Sequence, residues 1–178
     1  MDLAAPAFRF WLDGGLVGEG GFGGAPTEGG GGLTGGLGVG LMPDPAVGLA
    51  LVAQVRELVA NERHVSSIGV LVRYPADDGP WVGLGGAHHH ELPWAQWLDS
   101  PGSAIAATHE DITHRTGAEL ALGYDFAPSA PESSVARMFR PSLQLSGAVL
   151  PATDGPLVYV MARATMRLGV KEYGEARE

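Results

Sequence analysis

The chain is 178 residues long, 45% hydrophobic and only 17% charged, with a formal net charge of −9. That length suits one domain, and the acidic balance with a single lysine, Lys171, speaks against nucleic-acid binding. Cysteine is absent, which removes disulfide frameworks and thiolate chemistry.

Glycine is abundant, at 28 residues, yet most glycines interleave with Leu, Val and Ala in strand-like runs. No run of eighteen apolar residues exists, so no transmembrane helix is expected. The opening MDLAAPAF lacks the basic region and apolar stretch of a signal peptide. The expectation is a chain that is not exported, or one numbered from a mature start.

Taken in order, the segments alternate with a period of two. In 8–19, Phe10, Leu12, Gly14 and Leu16 share one face, and Arg9, Trp11, Asp13 and Gly15 the other. A Gly-rich loop, GFGGAPTEGGGG, follows. In 32–42, Leu33, Leu37, Val39 and Leu41 line up, and Pro43-Asp44-Pro45 makes a turn. The stretch 47–60 also fits an amphipathic helix, but strict alternation from Val47 favours a strand with Val52, Gln54 and Arg56 on its polar face. In 64–74, Ile68, Val70, Val72 and Tyr74 oppose Ser67, Gly69, Leu71 and Arg73.

A fifth strand starts at Trp81 and runs into His88-His89-His90, followed by a long segment from Glu91 to Asp111 that holds Trp94 and Trp97. The sixth, 112–126, sets Ala118, Leu120, Leu122, Tyr124 and Phe126 against Gly117, Glu119, Ala121, Gly123 and Asp125. The seventh, 136–150, sets Phe139, Leu143, Leu145 and Val149 against Arg140, Ser142, Gln144 and Ser146, with Pro141 awkward because it cannot donate a ladder hydrogen bond. The last, 156–170, is the most regular. Val158, Val160, Ala162, Ala164, Met166, Leu168 and Val170 form an apolar face, and Arg163 and Arg167 lie on the other. Eight strands joined in sequence predict an all-β, antiparallel up-and-down barrel with no open edge.

The oily face is nearly free of charge on every segment, while the other is Gly, Ser and Ala with a few charges of both signs. A lumen of eight strands is only wide enough for side chains to fill it. Small residues and paired charges fill such a lumen, and the charge-free face suits lipid, where Arg or Lys at mid-depth costs about 2–4 kcal/mol. This predicts a transmembrane β-barrel. The competing reading is a soluble, lipocalin-like ligand-binding barrel with the apolar face inside. Phe8, Phe10, Tyr74, Trp81, Tyr124, Phe126 and Phe139 fall at one rim, as in an interfacial aromatic girdle. The longer connections, after the first and fifth strands, fall at the opposite rim. The girdle rim and both termini are therefore expected on the periplasmic side.

With this pattern, carried by MARATMRLGV, FRPSLQLSGAVL and GAELALGYDF, the chain resembles the small eight-stranded outer-membrane barrels, the OmpA/OmpX-like family. The resemblance is architectural and covers 8–170. It implies an outer-membrane location, a periplasmic N-terminus and a lumen closed by ion pairs. Residues 1–7 then form an N-terminal periplasmic lead, and 171–178 a periplasmic tail. Many such chains end on an aromatic residue, whereas this one continues with KEYGEARE. That implies either a linker to a further periplasmic domain or a looser assembly signal.

Four inward residues, Glu119, Arg140, Arg163 and Arg167, are expected to form the lumen charge network, since a buried charge must be paired. His88 and His90, two apart on a strand, share a face and could share a metal, with His109 and Glu110 nearby. The plain alternative is solvated histidines bordering a loop. His114-x-Thr116 matches poorly the His and hydroxyl pairs of lipid-modifying barrel enzymes, with Glu91 or Glu110 as an arbitrary third member. The expected role is structural or partner-presenting: outer-membrane lipid around the wall, a protein partner at the extracellular loops or the tail, and no cofactor. A lipid-modifying enzyme remains the other membrane reading.

Overall fold

The computed structural model describes residues 7–23, 29–44, 47–75, 78–102, 108, 112–127, 139–151 and 155–168. Residues 1–6 of the expected lead 1–7, the tail 171–178, His109 and Glu110 lie outside them, and Ala7 already belongs to β1. The strands are β1 (Ala7–Phe22), β2 (Gly30–Asp44), β3 (Val47–Leu58), β4 (Arg63–Tyr74), β5 (Gly79–Pro93), β6 (Thr113–Asp125), β7 (Phe139–Leu150) and β8 (Leu157–Leu168). One short helix, α1 (Trp94–Asp99), follows β5. Each strand pairs antiparallel with the next, and β8 closes on β1 from Leu12–Leu168 to Phe22–Val158.

The expected faces hold along the strands, with one exception at Trp81 on β5. The helical alternative for 47–60 fails, because β3 stays extended to Leu58 and only Val59–Asn61 tightens into a 3₁₀ turn. Pro141 sits near the start of β7, where pairing to β6 stops at Asp125–Ser142, and its carbonyl accepts from the Phe126 N–H at 3.0 Å.

The barrel is inside out relative to a soluble protein. Leu12, Leu16, Leu33, Leu51, Val70, Leu84, Leu120, Leu145 and Val160 are all exposed on the outer wall. Every described arginine (Arg9, Arg56, Arg63, Arg73, Arg115, Arg140, Arg163, Arg167) has the inward parity of its strand. Among the strand residues whose side chains the structure describes, the only outward-facing Asp, Glu, Lys or Arg is Glu57, which bonds His64 at 2.6 Å near one rim. This distribution excludes the lipocalin-like reading, whose apolar faces would line the interior. An exposed apolar wall this continuous belongs in hydrocarbon.

The two rims differ. At the first lie the starts of β1, β3, β5 and β7, together with exposed Phe10, Tyr74, Tyr124, Phe126 and Phe139. Trp81, expected in that girdle, is instead 6% exposed and faces the lumen. Register explains it. Trp81 opposes Gly123, and an added Cβ at Gly123 would stand 2.3 Å from the indole, so the missing side chain is the slot for the ring. Trp11 lies over Gly38 in the same way. At the distal rim, α1 folds over the outer ends of β4 and β5. Trp94 N–H donates to Glu62 C=O at 2.8 Å, Trp97 stacks on His64, and Trp97 also covers Leu92 and Ile112.

Candidate functional site

Two constellations stand out, one inside the barrel and one on its outer wall. Within the lumen the hub is Asp125, on β6. Arg73 from β4 and Arg167 from β8 both donate to its Oδ2, the latter at 2.9 Å, and Ser142 Oγ donates to its Oδ1 at 2.6 Å. The two guanidiniums also cover the two lumenal indoles, Arg73 at 4.7 Å from the Trp81 centroid and Arg167 at 5.1 Å from that of Trp11. Each stack supplies a cation–π contact and holds the arginine at the height of the carboxylate.

The network expected around Glu119 is not formed. Arg140 bonds Asp78 at 2.8 Å, Arg163 bonds Gln144 at 2.6 Å, and Arg167 bonds Asp125. Glu119 accepts a hydrogen bond from none of the three, although Arg163 feels its charge along with that of Asp13. The cause is stagger between strands. Glu119 opposes Ala148 on β7, eight residues beyond Arg140 and so about 26 Å along the strand. Parity places both inside but says nothing of height.

A cavity of about 100 Å³ runs along the lumen from Arg73 and Arg167 at the hub to Gln54, His89, Glu119 and Arg163. The distal half is filled. Arg56 bonds His89 Nδ1 at 2.9 Å and sits 3.5 Å from Glu19. Val17, Leu58, Val65 and Met161 pack into one buried cluster. Arg63 and Arg115 close on Glu91 above it, so Glu91 lies inside the barrel and cannot be the third member of an outer-wall catalytic set.

On the outer wall, His88 and His90 face out from β5, as expected, while His89 between them turns inward. The β5–β6 register sets His90 opposite His114 and His88 opposite Thr116. That register was hidden from the sequence by the long connection between the two strands. The ligand atoms of His88, His90 and His114 all lie within 4.8 Å of one another. Thr116 Oγ1 is 2.5 Å from His88 Nδ1, and His114 Nδ1 is 3.5 Å from His88 Nε2. Thr116 therefore pairs with His88, not with its sequence neighbour His114. The cluster stands where the apolar wall ends, directly beyond Gly86 and Ala118, with His88 level with Ile68.

A closed eight-stranded barrel with an apolar outer wall and a charge-lined, side-chain-filled lumen is a small transmembrane β-barrel. Its fold is that of the small eight-stranded outer-membrane barrels. Neisserial surface protein A superposes with a TM-score of 0.59 at 10% identity, covering 89% of this chain and 96% of that one. The N-terminal barrel domain of Pseudomonas aeruginosa OprF gives 0.46 at 15% identity over 89% and 97%. Pseudomonas aeruginosa OprG gives 0.44 at 12% identity over 97% and 98%. No protein-family model matches the chain, and no curated protein matches its sequence.

Proposed function

We propose that this chain is an integral outer-membrane protein with a closed lumen, which presents its distal connections at the cell surface and keeps both termini in the periplasm. The observation that carries the reading is the segregation of charge. All described arginines face inward, and among the described residues the outer wall carries no Asp, Glu, Lys or Arg from the girdle up to Glu57. The filled distal half of the lumen supports a plug rather than a pore. The orientation rests on the longest connection, 94–112, lying at the distal rim, since such barrels have short periplasmic turns and longer outer loops. Loop-mediated binding of a protein partner follows from that orientation and is the role proposed here.

The test has three readouts. The protein should partition into detergent, and its unheated, folded form should migrate differently on a gel from the boiled form. In planar bilayers it should give no steady conductance. An epitope appended after Glu178 should be reached on intact cells only after the outer membrane is permeabilised. A monomer soluble without detergent would sink the membrane reading, an open steady current the plug, and an epitope accessible on intact cells the orientation.

A further inference from the structure

We propose that His88, His90 and His114 form a binding site for one divalent first-row transition ion of the zinc class, on the outer wall at the foot of the β5–β6 connection. Three observations converge on it. The first is distance. Tetrahedral zinc with bonds of about 2.0–2.1 Å sets its nitrogens roughly 3.4 Å apart. His114 Nδ1 and His88 Nε2 are already at 3.5 Å, and no ligand pair in the trio exceeds 4.8 Å. Side-chain rotation alone closes the remainder.

The second is orientation. His90 stands edge-on to both other rings, with centroids 4.6 Å from His88 and 4.7 Å from His114. Rings that surround a common point adopt such crossed planes. Thr116 holds the Nδ1 of His88 at 2.5 Å, which leaves Nε2, the nitrogen nearest His114, as the ligand. A hydrogen bond to the non-ligating nitrogen is the usual way a protein fixes an imidazole for metal.

The third is donor chemistry. Glu91, the adjacent carboxylate, is held inside by Arg63, so the described donors here are imidazoles and one hydroxyl. Imidazole sets suit zinc, copper and nickel over calcium or magnesium, which want oxygen. Three protein ligands leave a position open for water or another oxygen donor. Since His88 and His90 belong to β5 and His114 to β6, a bound ion staples both feet of the connection 94–112.

The test uses the full chain without a polyhistidine tag, folded in zwitterionic detergent and titrated with cobalt(II). Visible ligand-field absorption reports coordination, and zinc displaces the cobalt. One equivalent should bind. His90→Gln and His114→Gln, each checked for gel migration of the folded barrel, should weaken binding at least tenfold, in line with the 10–100-fold that even an outer partner commonly contributes. Thr116→Val should weaken it less. Absence of cobalt binding by the wild type would overturn the site, as would binding that His90→Gln and His114→Gln leave unchanged.

Discussion

Arg73 and Arg167 enter the lumen from opposite sides of Asp125 and donate to the same carboxylate oxygen. Their strands, β4 and β8, are each separated from β6 by one strand, so the contact ties the barrel across its interior rather than along its wall. Arg9 and Arg140 lie in the same end of the lumen, the latter bonded to Asp78. One carboxylate thus organises a region rich in positive charge, and the two indoles beneath the guanidiniums fix where that charge can sit.

Asp125→Ala should therefore be costly. It removes the carboxylate that two guanidiniums share in a narrow lumen and also the acceptor of Ser142. Breaking one side of a buried pair typically costs about 3–5 kcal/mol. Glu119→Ala should cost far less, because no arginine of the expected network donates to it. Urea unfolding from lipid vesicles compares the two. Equal losses would mean that Glu119 is a second hub.

The Trp–Gly pairs give a sharper test of lumen packing. A Cβ at Gly123 would meet the Trp81 ring at 2.3 Å, and one at Gly38 would meet the Trp11 ring at 2.2 Å. Gly123→Ala should destabilise by about 1–3 kcal/mol, the usual range for overpacking. In the Trp81→Leu background the same substitution should be nearly neutral, which makes the double-mutant cycle strongly non-additive. Additive effects would show that the ring does not depend on the glycine slot.

What the sequence could and could not say follows from the geometry of strands. Parity is local, so the alternation in β8 was enough to put Arg163 and Arg167 inside and Val160 outside. Height and cross-strand partners depend on register, which the long connections conceal. Glu119 and Asp125 share the inward face of β6, so parity alone does not tell which of them meets the arginines. The connection 94–112 separates His114 from His88 and His90 in the sequence and hides their meeting. The place of Trp81 near a rim suggests a girdle residue, but strict alternation with exposed Val82 and Leu84 turns it inward.

The outer wall yields the last prediction. Leu122 and Val160 are 52% and 42% exposed and stand in the apolar band between the girdle and the histidines. In water such exposure would cost nothing further on substitution by arginine. In a bilayer each should cost about 2–4 kcal/mol at mid-depth, falling to about 0–1 near the interfaces. Leu98→Arg, on α1 at the distal rim, should then be mild even though Leu98 is more exposed than either. Ser142→Arg is the contrasting case. Ser142 is buried beside Asp125, so a guanidinium there fails by crowding, and it should fail in detergent as well as in lipid. Folding yields in vesicles and in micelles, measured side by side by gel migration, distinguish the two mechanisms. Leu122→Arg and Val160→Arg should show a larger deficit in vesicles than in micelles, because a micelle deforms around a charge more readily than a bilayer. If both tolerate arginine in vesicles as well as Leu98 does, the wall does not face lipid.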